Sequence, residues 1–332
     1  MTRCGLLSLN KPAGVTSRQA LDVVKRLARP AKTGHAGTLD PLATGVLIAA
    51  VGSATRLIEY VQRMPKAYRA TFLLGRSSPT EDIEGEVTEL SDAPQPTLAQ
   101  ISAAAARFVG RIEQRPPAFS ALKVEGRRAY DLARKGKFVE LKTRPIDVYR
   151  IEVVVYQYPE LVLDVECGSG TYIRSLGRDL AESLGTAAVM SALTRTRIGG
   201  FSLEDAVAPD QLTPDGWAAF LQPSLLAVEY LPRVRLTAEE VIRVHNGLTI
   251  EKESVTVKKD LMTTEEDLIV SALRAPTVGW SGEGLGEGGP SVADVVRDTE
   301  PQEYAAIDES GQLVAILIPR GPGQLRPLRN LR

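Results

Sequence analysis

The alternation of apolar and polar positions divides the chain into recognisable elements. Leu6-Leu7-Ser8-Leu9-Asn10 reads as a short buried strand, stopped by the turn Lys11-Pro12-Ala13-Gly14. Thr16-Ser17-Arg18-Gln19 has capping-box spacing. Ala20, Val23, Val24 and Leu27 then recur on one face, which predicts a helix over about 17–29. A polar, glycine-rich stretch from Gly34 to Gly45 precedes the apolar run Val46 to Val51, a buried strand. A helix over about 53–62 and a strand over 66–75 follow, the latter bent back through a turn at 77–85. Thr97 with Gln100 forms a second capping box, opening a helix that carries Ile101, Ala104, Ala105 and Phe108. Pro116-Pro117 keeps Gln114 to Lys123 out of helix, and a short helix is expected over 127–135, closed by Gly136. Strands over 144–157 and 160–167, rich in Val, Ile and Tyr, lead to a helix from about Gly170 to Leu184. Strands first mixed with and then interrupted by helices indicate an α+β sheet, not regular βαβ winding.

The last third differs in kind. Leu231 to Leu236 reads as a linker running into a strand, and Thr237 with Glu240 caps a helix ending at Asn246-Gly247. Six glycines fall within 279–290, and Tyr304 to Pro319 alternates as two strands about Glu309-Ser310-Gly311. A main domain over 1–230 and a smaller one over 231–332 are expected, the second interrupted by an acidic, Gly-rich stretch at about 251–303.

Charge changes this picture only locally. The 332 residues carry a formal net charge of −1, which argues mildly against nucleic acid. Between Arg107 and Arg150, however, twelve Lys and Arg stand against five acids, and between Glu251 and Glu303 five bases stand against twelve acids. The two blocks nearly cancel, so the total says little about partners. No stretch approaches the roughly 20 apolar residues of a spanning helix, and no targeting segment is evident, so a cytoplasmic protein is expected. Two cysteines, Cys4 and Cys167, and two histidines, His35 and His245, make a metal centre unexpected.

The most constrained stretch is Gly34-His35-Ala36-Gly37-Thr38-Leu39-Asp40-Pro41-Leu42-Ala43-Thr44-Gly45. Three glycines and a proline fix a loop, and the strand behind it holds the loop in place, an arrangement that presents one carboxylate rigidly. Asp-Pro alone would be read as an ordinary turn. The longer stretch resembles, nearly letter for letter, the catalytic motif of the TruB family of tRNA pseudouridine synthases, of the bacterial type that acts on uridine 55. The resemblance extends to Leu9-Asn10-Lys11-Pro12-Ala13-Gly14, to Lys66-Ala67-Tyr68, to Gly170-Thr171-Tyr172-Ile173-Arg174, and to a Q-x-P-P-x-aromatic-S-A-x-K pattern from Gln114.

The resemblance implies a pseudouridine synthase fold with a mixed, mainly antiparallel sheet and a small β-rich PUA-like domain at the C-terminus. It also implies an isomerase, an intramolecular transferase, that flips uridine 55 out of the tRNA T loop and works without a cofactor. Breaking the C1′ to N1 bond needs a carboxylate that attacks C1′ or stabilises positive charge there, and the resemblance implies that Asp40 is that group. Tyr68 would stack on the flipped base and handle the C5 proton, with an ordinary strand-core tyrosine as the competing reading. Arg174 would pair with Asp40, His35 would fill the space the base leaves, and Tyr172 and Leu193 would line the pocket. Lys11, Pro12 and Gly37 are taken as structural parts of the motif. Lys123, Arg127 and Arg128, in an RNA-gripping insertion within 107–150, would contact phosphates. The implied partner is the tRNA T-stem loop, met by a monomer with no obligatory protein partner and no membrane.

Two positions depart from the family pattern: Phe119 stands where a tyrosine is usual, and Pro79 replaces an aspartate in Ser78-Pro79-Thr80-Glu81-Asp82. Three rivals are weaker. A binding protein without catalysis would not need Asp40, Tyr68 and Arg174 together. A guide-RNA-dependent relative would show protein-docking extensions. An ordinary glycosidase would place a second carboxylate in a comparably constrained motif.

Overall fold

The computed structural model describes residues 3–119, 141–251 and 303–331, with the backbone of 123–124 and 127–128. The strands are, in chain order, β1 (Gly5–Lys11), β2 (Thr33–Ala36), β3 (Thr44–Val51), β4 (Lys66–Leu74), the short pair β5 (Arg76–Ser77) and β6 (Thr88–Glu89), β7 (Gly110–Gln114), the pair β8 (Lys123–Val124) and β9 (Arg127–Arg128), β10 (Arg144–Gln157), β11 (Glu160–Cys167), β12 (Ala188–Ile198) and β13 (Phe201–Ser202). The C-terminal ones are β14 (Arg233–Arg235), β15 (Ile250–Glu251), β16 (Tyr304–Ile307), β17 (Leu313–Gly321) and β18 (Gln324–Asn330).

The main sheet runs β1-β3-β12-β4-β11-β10-β7, with β2 on β3 and β13 on β12. Pairing is antiparallel except between β3 and β12, which run parallel through Thr44↔Thr194 and Gly45↔Arg195. The contact is close: a Cβ on Gly45 would lie 2.2 Å from the Arg195 carbonyl oxygen, so only glycine fits there. The first residues of β3 pair with β12 and the last four with β2. The loop carrying Asp40 spans the point where β3 exchanges one neighbour for the other.

β3 is apolar from Val46 to Val51 because both its faces are covered there. Leu47, Ala49 and Val51 pack with Leu21 and Val24 of the helix Ser17–Leu27. Val46, Ile48 and Ala50 pack with Tyr60 and Val61 of the helix Ile58–Arg63 and with Ala305 and Ile316 of the C-terminal strands. The helices Leu98–Ala106 and Ile173–Glu182 cover the other end of the sheet through Ile101, Ala104, Leu176 and Leu180. All three expected capping boxes form, at Thr16, Thr97 and Thr237.

The C-terminal sheet has order β14-β16-β17-β18-β15, with its own core around Val234, Val244, Tyr304 and Leu317. Arg329 pairs with Glu59 at 2.9 Å and Ser53 Oγ donates to the Leu331 carbonyl at 2.8 Å, so this sheet is fastened to the first.

Three readings change. β12, central in the sheet, went unanticipated. The basic block is not all insertion, because β7 and β10 pair in the main sheet from Gly110↔Val148 to Gln114↔Arg144, and an excursion can begin only after Gln114. Arg127–Arg128, expected as a helix start, is a strand paired with Lys123–Val124. The remainder of that helix and residues 252–302 lie outside the described residues.

Candidate active site

The Asp40 loop is clamped from three sides. Ser17 Oγ, at the start of the first helix, accepts from the Leu39 amide at 2.8 Å and donates to the Leu39 carbonyl at 3.0 Å. Lys11 Nζ, fully buried at the end of β1, donates to the Pro12, Val15 and Pro41 carbonyls at 2.8, 2.7 and 3.2 Å. Arg195, buried in β12, donates from Nε to the Val46 carbonyl at 2.7 Å and from Nη2 to the Gly37 carbonyl at 3.1 Å. Gly37 itself has a φ of +78°, which leaves its carbonyl free to turn toward that guanidinium. Asp40 is thus the exposed tip of a loop whose base is fixed on both flanks, and its side chain keeps 39% exposure.

Facing it is the start of the helix Ile173–Glu182. No side chain caps that helix; the buried Gln114 carboxamide instead accepts from the Tyr172 amide at 2.9 Å and donates to the Tyr172 carbonyl at 3.0 Å. This fixes Arg174, whose Nη2 lies 3.1 Å from Asp40 Oδ2 and whose Nη1 lies 3.1 Å from Asp82 Oδ2. The same guanidinium donates to the Thr80 carbonyl at 2.7 Å and the Phe119 carbonyl at 3.2 Å. Since Phe119 contributes its backbone here, the missing tyrosine hydroxyl does not affect the contact.

In the sequence Asp82 is only part of a turn, yet its side chain is 3% exposed and completes the charge balance of Arg174. Its Oδ1 accepts from Thr80 Oγ1 at 2.6 Å and from the Glu84 amide at 3.1 Å. Next to it Glu81 adopts a φ of +64°, held by Ser175 Oγ at 2.7 Å and by an ion pair with Arg178. Burial raises the Glu81 carboxyl above its ordinary range, with Arg178 opposing. The turn survives Pro79 because Ser78 Oγ closes it, 3.0 Å from Thr80 Oγ1 and accepting from the Thr80 amide at 3.3 Å.

The floor is apolar. Leu39, Ala43, Tyr68 and Leu193 belong to one cluster, with Leu42 against it. Tyr68 stands opposite Arg195 on the β4–β12 ladder, and burial raises its phenol pKa, countered by the adjacent guanidinium. Lys11 and Lys66 are both lowered to about 8, chiefly by burial. His35 lies in β2, not in a free loop, and its pKa is lowered by burial, then by Arg195 and Arg18, so it is neutral near pH 7. The Tyr172 ring packs against the Arg144 guanidinium, 4.9 Å from its centroid.

Asp40, Arg174, Tyr68 and Leu193 are therefore brought together, with His35 joined through Arg195. The side chains of Lys123, Arg127 and Arg128 lie outside the described residues. Sequence reasoning missed Asp82, Gln114 and Arg195. Each left a signal: Gln114 opens the Q-x-P-P pattern, Asp82 closes the turn Ser78 to Asp82, and Arg195 follows Leu193 by the two-residue period of a strand face. Among the described residues no group of three or more His, Cys, Asp or Glu could hold a metal ion.

The architecture is shared with solved proteins. The chain aligns with the archaeal box H/ACA sRNP Nop10-Cbf5 complex at a TM-score of 0.64, over 100% of this chain and 87% of that one, at 21% identity. A Cbf5-Nop10-Gar1 complex gives 0.63 over 97% and 80%, at 24% identity. These likenesses show that the fold is shared. Residues 25–173 match the family model described as TruB family pseudouridylate synthase, N terminal domain. The chain is 45% identical over 251 residues to tRNA pseudouridine synthase B of Caulobacter vibrioides, covering 74% of this chain and 81% of the relative. It is 40% identical over 252 residues to the protein of that name from Trichormus variabilis, covering 74% and 86%. The chain belongs to the TruB family of pseudouridylate synthases.

Proposed function

We propose that this protein isomerises uridine 55 in the T loop of tRNA to pseudouridine. The observation that carries the reading is the Asp40 carboxylate, exposed at the tip of a clamped loop and 3.1 Å from an arginine that a second carboxylate already balances. The flipped uridine enters over the floor of Leu39, Tyr68 and Leu193. Asp40 attacks C1′ or stabilises positive charge there while the bond to N1 breaks, and Arg174 keeps the carboxylate ionised and aimed. Tyr68 stacks on the base and handles the C5 proton, Tyr172 lines the pocket, and His35 fills the place of the flipped base. Lys11, Pro12 and Gly37 hold the loop. Lys123, Arg127 and Arg128 grip phosphates from the insertion that leaves the sheet after Gln114. Residues 1–230 form the catalytic domain and 231–332 a PUA-like domain that adds RNA contacts. The enzyme works in the cytoplasm as a monomer, with no cofactor and no obligatory protein partner.

The test is incubation of the purified protein with an unmodified tRNA transcript, followed by mapping of pseudouridine. Product is expected at the T-loop uridine with the natural protein and none with Asp40→Asn. The variant should still bind tRNA within roughly tenfold, about 1.4 kcal/mol, because phosphate contacts supply most of the affinity. A folded natural protein that gives no product overturns the reading.

A further inference from the structure

Arg195 is 1% exposed, and its guanidinium donates to the Val46 and Gly37 carbonyls, with Tyr68 opposite it on the ladder. None of these is a carboxylate. The groups facing the Arg195–Tyr68 pair add more positive charge than they remove: Lys11 from β1, Lys66 from β4 and neutral His35 from β2, against Asp40 from the loop. The Cys167 thiol, from β11, is pushed up to about 11 by burial and stays neutral. A guanidinium taken out of water without a counter-ion is unfavourable unless negative charge develops next to it. The group in contact that can become negative is the Tyr68 phenol, which faces Arg195 directly across the ladder and so shares its face of the sheet.

We propose that Arg195 is the positioning residue of the proton step, fixing the Tyr68 phenol and stabilising its anion while that phenol moves a proton from C5 to N1 of the uracil. The inference rests on the role given to Tyr68 above. When the bond from C1′ to N1 breaks, its electron pair leaves on N1, and the Tyr68 O–H proton passes to N1. After the base turns, the C5–C6 double bond supplies the pair that joins C5 to C1′, and any Asp40 ester oxygen recovers its own pair. The proton left on C5 then passes to the phenolate, which restores the ring's double bond and the neutral phenol. N1 before the turn and C5 after it occupy the same place beside C1′, so one phenol reaches both. No solvent proton enters, and the phenolate exists only between the two transfers, next to Arg195.

The experiment is single-turnover kinetics at saturating T-arm RNA, with RNA affinity measured alongside. Arg195→Met should lower the rate by about a hundredfold or more with little change in affinity, and Arg195→Lys should recover part of the loss. Placing 3,5-difluorotyrosine at position 68 makes the phenol a stronger acid. It should restore about tenfold to Arg195→Met and nothing to Arg174→Met, a distinction that a purely structural role for Arg195 would not produce. If Arg195→Met does not fold, Arg195→Lys carries the same test, its slowed reaction being restored by the difluorotyrosine. A loss that the difluorotyrosine leaves untouched, or an Arg195→Met rate within about threefold of natural, overturns the proposal. Tyr68→Phe separates the two claims: if it reacts at the natural rate, the role of Tyr68 itself falls, whereas a slow Tyr68→Phe beside a fast Arg195→Met removes only the role of Arg195.

Discussion

Two buried arginines flank the loop that carries Asp40, and the protein houses them in opposite ways. Arg174 lies between Asp40 and Asp82, both at 3.1 Å, with two carbonyls also accepting from its Nη atoms. Arg195 lies among carbonyl oxygens and a phenol, with cationic Lys11 and Lys66 nearby. In the first region the charge is balanced before any substrate arrives, which suits a group that must hold a carboxylate steady. In the second it is left unbalanced, which suits a group that waits for an anion. The stability of a buried cation is thus set by its partners, and the two sites should respond differently to the same truncation.

The largest expected effect tests that contrast. Arg174→Met leaves the buried Asp82 without a counter-ion and should cost about 3–5 kcal/mol of unfolding free energy. Arg195→Met leaves no stranded ion. It removes donors from the Val46 and Gly37 carbonyls and should cost less, about 1–3 kcal/mol. Urea unfolding of the two variants reads the difference, and adding Asp82→Asn to Arg174→Met should recover part of the loss. Equal losses, or the reverse order, would mean that Arg195 has a counter-ion after all.

The same contrast explains what the sequence revealed. The loop around Asp40, the capping boxes and the strands 144–157 and 160–167 follow local rules, where glycine, proline, a capping oxygen or a β-branched run decides the conformation. β12 does not. Its second half, Thr194-Arg195-Thr196-Arg197, places a charged residue at an inward position, so hydrophobic periodicity fails at the strand that carries the unbalanced arginine. Asp82 was hidden for a related reason: in sequence it is one of six polar residues in the turn 77–85, and only the arrival of Arg174 from 92 residues away makes it a buried partner. The motif stretches of the site were therefore legible, and the pairing of Asp82, Gln114 and Arg195 with groups distant in the chain was not.

A middle-sized effect separates the two carboxylates of Arg174. Asp82→Asn leaves the guanidinium short of an anion on its closed side and should cost about 2 kcal/mol or more. Asp40 is 39% exposed, so Asp40→Asn should change stability by less than about 1 kcal/mol while removing turnover. Thermal melts of the two variants decide this. If Asp40→Asn destabilises as much as Asp82→Asn, the Asp40 pair is a structural bridge and the division between a held and a holding carboxylate disappears.

The smallest effect concerns Lys11, which feels both regions through Asp40 and Arg195. Burial lowers its pKa from 10.5 to about 8 in the folded protein, while the unfolded chain keeps the ordinary value. Below about pH 8 both states hold the proton, and above 10.5 neither does, so stability owes no pH dependence to Lys11 there. Between those limits the unfolded chain binds more protons, and the contribution of Lys11 makes the protein more stable as pH rises. From pH 8 to pH 9 this should amount to about 1 kcal/mol, small enough to be masked by other groups. Lys66 has the same shift, and Cys167 acts in the opposite direction, but both are present with or without Lys11. The measurement is therefore the difference between natural protein and Lys11→Met, followed across that interval. The natural protein should gain on the variant as pH rises. A constant difference would mean that the three carbonyls holding Nζ compensate its burial in full, and that Lys11 keeps its proton, and its positive charge near Arg195, through the whole interval.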